Sequence, residues 1–369
     1  MIHILHIFST FAVGGPQRRL AQLANGLDGY THTVTAMDGQ YTAQSLLDAQ
    51  TAIEPIKIEK NTSFDIGNIR RLRRLIRQTA ADLVCTYNWG TMEAVAALRL
   101  NRLLGRGFHH IHFEDGFGPE ETVDHQIQRR VLARRLLLRT MPVVVPSKTL
   151  MQIATETWSL PSHLVQHIPN GVDLVRFNPA CSTNKKQVTI GAVGALRPEK
   201  NFSRLIEVFA LARLNNARLL IAGEGACRAE LEALIDKLGL GDSVELLGHI
   251  EDPSEFYSYC DIFALSSDTE QMPLTVLEAM ASGLPILATD VGDIRNMVCE
   301  ENKPYVLPVD NEVSLSRALQ LLAGSVESRK RLGAKNRERV ESVYSEEQML
   351  VDYDKLFRSY SDDKSALFS

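Results

Sequence analysis

The sequence predicts an α/β protein of two domains, each built on a parallel sheet covered by helices. Its 369 residues, 44% hydrophobic and 23% charged, have the composition of a globular chain with two sizeable cores. Short apolar runs alternate with amphipathic stretches along the whole length. That rhythm gives parallel strands covered by helices, with a ligand crevice beyond the carboxyl ends of the strands. The stretch from Asp268 to Pro285 then combines loop, helix and strand signals around two carboxylates.

The apolar opening run, Ile2 to Phe8, carries two histidines, lacks a basic leader and is too short to span a membrane, so it is expected to be a buried first strand. It leads to Gly14 and Gly15 and a helical run through Leu27. Strand, glycine turn and helix N-terminus together let backbone approach an anion, although neither the dinucleotide glycine pattern nor a P-loop is present. Further strands are expected at Thr31 to Ala36, Asp82 to Thr86 and Phe108 to Phe113, with a basic helix from Asp65 and another from Thr91 through Leu104. The loop Glu114 to Glu121 holds four carboxylates and follows His109, His110 and His112. Alternate strand residues face opposite ways, which argues against one ion shared by His109 and His110, and no metal is expected. Glu114 or Asp115 is placed for chemistry at a strand end. A strand at Met141 to Pro146, a helix from Ser147 to about Trp158 and the Asn170, Gly171 turn close the first domain.

The second domain opens at Val188 to Gly194, again without the glycine pattern a dehydrogenase would need. Arg197 and Lys200 sit at the mouth of that sheet, where their charge can neutralise an anion. Gly223 and Gly225 follow the strand Ala217 to Ala222, and His249 and Ile250 end the next strand. In the organising stretch, Pro273 fits the first helical position, Leu274, Val276, Leu277, Met280 and Ala281 form an apolar stripe, and Gly283 stops the helix. Glu270 and Glu278 bracket the helix start. Eight helical residues would separate them by roughly 12 Å, beyond the roughly 5 to 9.5 Å of a glycosidase pair. Acceptors at both sides of a helix N-terminus suit a ligand with hydroxyls at its ends and phosphates between.

Glu270 and Glu278 match the Glu-x7-Glu motif, and on them the chain resembles the retaining GT-B glycosyltransferases of family 4 (group 1). The resemblance runs from Gly14 and Gly15 to the C-terminal helix and is strongest from Ile168 to Gly292. It implies a GT-B fold, two Rossmann-like domains with parallel sheets facing across a cleft. Residues 1–170 would form the acceptor-side domain, with a C-terminal helix at 345–369 packing back on it, 171–186 a linker and 187–344 the nucleotide-sugar domain. Glu278 would bind the donor ribose, Glu270 would touch the transferred sugar, and backbone from Gln271 and Met272 through Pro273, Leu274 and Thr275 would approach sugar and phosphates. Lys200 and Arg197 would stabilise the departing diphosphate, Gly14, Gly15, Gly194, Gly223 and Gly225 would lie beside the nucleotide, and His249 and Ile250 would contact the base. The family's arginine directly after the glycine is Ala195 here, with Arg197 two residues on. Its usual glutamate after the first glycine pair is Gln17, its common sugar-side histidine is replaced by Glu114 or Asp115, and Gln271 and Met272 replace Gly-Phe. The implied activity is retaining, metal-independent transfer from a UDP- or GDP-linked sugar, without a cofactor, to a glycan or lipid-linked acceptor in bacterial surface polysaccharide assembly such as lipopolysaccharide. A non-catalytic GT-B-like partner subunit and a nucleotide-sugar epimerase are the alternatives.

Net charge is −5, yet residues 1–180 hold 19 Lys and Arg against 15 Asp and Glu. The excess lies on Ile69 to Arg77 and Gln128 to Arg139, each with five arginines expected opposite a leucine-rich face. Such helices either solvate their arginines or lie on an anionic membrane, which would make the protein cytoplasmic and peripheral on the inner face of the cell membrane. Negative overall charge without basic-aromatic interleaving argues against nucleic acid. Cys85, Cys181, Cys227, Cys260 and Cys299 are scattered and unpaired in pattern, as in a reducing compartment.

Overall fold

The structure is a computed structural model that describes residues 1–56, 58, 65–117, 120, 121, 125–179 and 187–361. Outside the described residues lie Gly118 and Pro119 of the acidic loop, positions 180–186 of the expected linker with Cys181, and the last eight positions of the expected C-terminal helix. The chain forms two compact units, residues 1–170 with 347–369 and residues 171–346.

The first unit runs β1 (Ile2–Phe8), α1 (Gly15–Gly26), β2 (Tyr30–Ala36), β3 (Ala52–Ile53), α2 (Ile66–Thr79), β4 (Leu83–Tyr87), α3 (Met92–Leu103), β5 (His109–Phe113), α4 (Gln128–Leu138), β6 (Val143–Val145), α5 (Lys148–Gln152) and β7 (Val165–His167). The strands are parallel in the order β3-β2-β1-β4-β5-β6-β7. Strand order reverses between β1 and β4, so loops after these two strands diverge and leave a crevice. Alternation in β1 serves both faces. Ile4 and Phe8 join a core closed by Met349, Tyr353, Leu356 and Phe357 of the last helix, whereas Leu5 and Ile7 pack with Leu72 and Ile76 of α2 and Ala97 and Leu98 of α3.

The second unit runs β8 (Val188–Val193), α6 (Phe202–Ala212), β9 (Ala217–Ala222), α7 (Arg228–Leu238), β10 (Val244–Gly248), α8 (Pro253–Tyr259), β11 (Ile262–Leu265), α9 (Leu274–Ala281), β12 (Ile286–Thr289), α10 (Ile294–Met297), β13 (Val306–Leu307), α11 (Glu312–Gly324) and α12 (Val326–Val343), before α13 (Glu346–Ser361). Its strands are parallel in the order β10-β9-β8-β11-β12-β13, with the reversal between β8 and β11. In β8, Ile190 and Ala192 face the core shared with α6 and α11. Gly191 faces the other way, where a Cβ would come within 2.2 Å of the Cys260 sulfur.

Two sequence expectations change. Pro273 is the N-cap of α9, with ψ 122°, and the helix begins at Leu274. The arginine-out reading holds for α2, which buries Leu72, Leu75 and Ile76, but fails for α4. There Arg134 is fully buried while Leu132 and Leu136 are exposed. Among the described residues no helix is long and apolar enough to cross a membrane.

Histidines occupy the first sheet as buried hydrogen-bonding groups. His6 bonds the Tyr87 hydroxyl at 2.8 Å and His32 at 2.9 Å; His110 and His112 both bond the Thr86 hydroxyl at 2.8 Å. Burial, then the neighbouring His3, lowers His32 to about 4; burial, then His112 and Arg99, lowers His110 to about 3. These values lie below the unfolded one of about 6.5, so the stabilisation is complete above that pH and is lost as pH falls towards the folded values. The loss amounts to the order of 3 kcal/mol for His32 by linkage. The thermal midpoint is therefore expected to drop between pH 6.5 and 4, and His110→Gln, which keeps a partner for Thr86 without titrating, should flatten that slope in calorimetry.

Candidate functional site

In the second unit the loops following β8, β9, β10, β11 and β12 are held together by backbone contact. Gly194 donates to the Ala222 carbonyl at 3.0 Å, Gly223 to the Gly248 carbonyl at 2.7 Å and Leu196 to the Glu224 carbonyl at 2.9 Å. A Cβ on Gly223, where φ is +149°, would lie 1.8 Å from the Gly194 carbonyl oxygen, and one on Gly225 would lie 2.4 Å from that of Leu196. Gly248 adopts φ +78° just before the exposed His249, while Ile250 packs on the core that contains Tyr257 and Leu277. No side chain can be interposed between these turns.

The loops after β8 and β11 meet at the strand-order reversal. Asp268 donates its N–H to the Glu199 carbonyl at 2.9 Å, and the Ser266 hydroxyl bonds the Lys200 carbonyl at 3.1 Å. Asn201, in the left-handed region at φ +44°, caps α6 and bonds Asp268. These contacts bring Lys200 and Glu270, 70 positions apart, to 2.5 Å between Nζ and Oε1. The Ser267 hydroxyl donates to the same oxygen at 2.7 Å, and Thr289 holds the Ser267 carbonyl at 2.6 Å. The Lys200 side chain keeps 27% exposure against 10% for Glu270, so its remaining donors can serve an incoming anion. Arg197 is exposed on the turn before Lys200 and makes no ion pair among the described residues.

Helix α9 starts beside this pair. Met272 and Pro273 are buried, Leu274 and Thr275 half-buried; the Val276 N–H turns back to the Pro273 carbonyl at 3.2 Å, and the N–H groups of the first two helical residues have no carbonyl a turn earlier in the helix to bond. Glu278 is buried on the second turn, accepting from the Tyr257 hydroxyl of α8 at 2.8 Å. The segment before the helix is braced from β12: Asp293 donates to the Gln271 carbonyl at 2.9 Å. A Cβ at Gly292, φ +58°, would lie 2.4 Å from the Glu270 carbonyl oxygen. Sequence reasoning missed Tyr257, Ser267 and Gly292; only the glycine after a short strand carried any signal.

In the first unit, Gly14 is the N-cap of α1 with Pro16 at the helix start. Gly15 has open space about it. Gln17, buried, donates to the Thr10 carbonyl at 2.9 Å and so pins the glycine loop. Asp115 accepts from both terminal nitrogens of Arg19, one at 3.0 Å, and its N–H donates to Asn88 Oδ1 at 2.6 Å. Burial works against the Arg19 charge, and Asp115 outweighs it, raising the guanidinium pKa. Glu114 lies wholly inside: His112 bonds one oxygen at 3.0 Å, and Arg134 donates to the other at 3.1 Å. Burial pushes its pKa up, and Arg134 followed by His112 brings it down. Arg134 also pairs with buried Glu121 and stacks within 4.8 Å of the Trp158 ring centre and 5.1 Å of that of Trp89. Expected as an acceptor-side group, Glu114 has no exposed surface from which to reach an acceptor, whereas Asp115 keeps 10% exposure.

A family model described as Glycosyltransferase Family 4 matches residues 13–176, and one described as Glycosyl transferases group 1 matches residues 178–339. An uncharacterized glycosyltransferase of Haemophilus influenzae is 26% identical over 90% of this chain and 93% of its own. A Campylobacter jejuni N-acetylgalactosamine-N,N'-diacetylbacillosaminyl-diphospho-undecaprenol 4-alpha-N-acetylgalactosaminyltransferase is 27% identical over 51% of this chain and 52% of its own. Among solved structures, Anabaena HepE in complex with UDP superposes with a TM-score of 0.81 over 97% of this chain and all of its own at 16% identity.

Gly223→Ala is expected to lower stability by about 3 kcal/mol or more, since strain and a backbone clash combine; Gly241→Ala, with open space around it, should be near neutral in the same denaturant titration. Arg134→Met would leave Glu114 and Glu121 buried without their cation and should cost about 3 to 5 kcal/mol, part of it recovered by adding Glu114→Gln.

Proposed function

The chain belongs to the GT-B glycosyltransferases of family 4 and group 1, and from that premise we propose that it moves a sugar, with retention and without a metal, from a nucleoside-diphosphate donor to a glycan or lipid-linked acceptor in surface polysaccharide assembly. The observation that carries this reading is the convergence of Lys200, Glu270 and the N-terminus of α9 at the strand-order reversal of the second unit. A helix N-terminus carries roughly half a positive charge, and the ammonium beside it adds a full one. Together they suit a diphosphate that gains charge as it leaves.

In this reading the bond from the anomeric carbon to the diphosphate oxygen breaks as the acceptor oxygen bonds to that carbon on the same face, and the acceptor proton passes to the departing diphosphate. Lys200, with Arg197 from the adjoining turn, stabilises the leaving group; preorganised charge of this kind supplies much of a catalytic rate. Glu270, held by Lys200 and Ser267, accepts from sugar hydroxyls. Glu278, oriented by Tyr257, accepts from the donor ribose. Asp115, fixed by Arg19, is the acceptor-side group. The UDP in the HepE complex and the undecaprenol-linked substrate named for the Campylobacter relative support a nucleotide donor and a lipid-linked acceptor.

A thermal-shift panel of UDP, GDP, ADP and their sugar conjugates, without added metal, tests the proposal. One nucleotide class should raise the midpoint of the wild type, and Glu278→Ala should abolish the rise. No response to any member would sink it in favour of a non-catalytic subunit. With the responding donor, Lys200→Ala should lower kcat by about 100- to 1,000-fold, and NMR of the product should show the donor's anomeric configuration.

A further inference from the structure

The loop that leaves β4 holds a strained residue whose side-chain donor no described residue of the first unit takes up. Asn88 adopts φ +59° with ψ 176°, a combination that only glycine occupies without cost. Three contacts hold it there. Its N–H donates to the Phe113 carbonyl at 2.7 Å, and its carbonyl accepts from the Thr91 N–H and the Thr91 hydroxyl, each at 3.1 Å. Trp89, the next residue, is fixed by the guanidiniums of Arg130 and Arg134, 5.4 and 5.1 Å from its ring centre. Gly90 then lies on the loop after β1, where a Cβ would come within 2.5 Å of that of Ser9. Loops from both sides of the strand-order reversal between β1 and β4 thus meet beside Asn88, the place where an open parallel sheet takes its ligand.

The strain aims a side chain. Asn88 Oδ1 accepts the Asp115 N–H at 2.6 Å, so the amide lies against the loop after β5. Its nitrogen makes no hydrogen bond among the described residues, and Asn88 is half-exposed. The Asp115 carboxylate, 10% exposed, takes one N–H of Arg19 on each oxygen and keeps lone pairs for a further donor. A free donor and a free acceptor therefore stand side by side at the carboxyl ends of β4 and β5, which are neighbours in the sheet. Arg19 is buried and its charge is matched by Asp115, so the pair offers no net positive charge to a phosphate or a carboxylate. A neutral diol fits instead: one hydroxyl accepts from the Asn88 amide while its neighbour donates to Asp115. Sugar rings carry such adjacent hydroxyls.

We propose that Asn88 is an acceptor-binding residue, which together with Asp115 holds two adjacent hydroxyls of a neutral sugar ring. The acceptor group received here is then a glycan terminus and not the phosphate of a lipid carrier. That use of the site rests on the transferase reading above, but the binding of a sugar does not. Two substitutions separate binding from support. Asn88→Asp keeps the oxygen that holds the Asp115 N–H and shares asparagine's tolerance of positive φ, yet it replaces the free donor with a second carboxylate. Asn88→Gly relieves the backbone and removes the amide altogether.

Saturation-transfer NMR of the full chain, without nucleotide, tests it against the methyl glycosides of glucose, galactose, mannose and N-acetylglucosamine. At least one glycoside should bind the wild type, and inorganic phosphate should not displace it. Both variants should bind that glycoside about tenfold more weakly, while keeping the thermal midpoint and the nucleotide response of the wild type. Binding by Asn88→Asp equal to that of the wild type would overturn the proposal, since it would leave Asn88 only the task of supporting the Asp115 backbone. Displacement by phosphate, or no binding of any of the four glycosides, would overturn it as well. Nucleotide response and sugar binding are read separately. Loss of the first with the second intact would sink the transferase reading alone, and the reverse would sink the role of Asn88 alone.

Discussion

Close approach of backbone to backbone sets the geometry of the second unit. Parallel strands deliver their carboxyl ends to one edge of the sheet, and the turns that leave them must pack there without room for side chains. Gly223 and Gly225 lie against the carbonyls of Gly194 and Leu196, and Gly292 against those of Glu270 and Gln271. The same device recurs at the far end of α9, where a Cβ on Gly333 of α12 would lie 1.9 Å from the Gly283 carbonyl oxygen. Helix α9 is thereby held at both ends, and the position of Glu270 and Glu278 follows from it.

The first unit is organised by buried charge. Arg19 ties α1 to the loop after β5 through Asp115, and Arg134 ties α4 to the same loop through Glu114 and Glu121. An isolated charge inside a protein is expensive, and these pairs persist because hydrogen bonds and aromatic faces surround each guanidinium. The arrangement has a consequence for the surface. Turning Arg134 inward rotates Leu132 and Leu136 outward, so a demand for charge pairing in the interior produces an apolar, cationic exterior.

The polar cluster of the second unit lies at the reversal of strand order, and that of the first follows β5, next to the reversal between β1 and β4. The two clusters differ in kind. In the second, Lys200 is only partly buried and can share its donors between Glu270 and an anion. In the first, the Asp115 carboxylate is engaged by a bidentate guanidinium and Glu114 is sealed from solvent. The one arrangement leaves donors open to an anion; the other fixes a loop and leaves Asp115, at 10% exposure, as its accessible carboxylate. Hydrogen-bonded histidines beneath that loop, linked through Thr86, extend the rigid polar layer into the sheet.

Much was legible in the sequence because it depends on local chemistry. Period-two and period-3.6 apolar patterns mark the strands and helices, glycines mark turns after strands, and Glu270, Glu278 and Lys200 stand at motif spacings that the chain itself displays. What tertiary structure alone decided are the contacts between residues far apart in the chain. Lys200 meets Glu270 only because β8 and β11 are neighbours, Tyr257 meets Glu278 only because α8 packs on α9, and Ser267 joins them through Thr289. The misreading of α4 has the same origin. Periodicity reports which residues share a face but not which face turns inward, and here two buried carboxylates from another element outweighed the burial of two leucines.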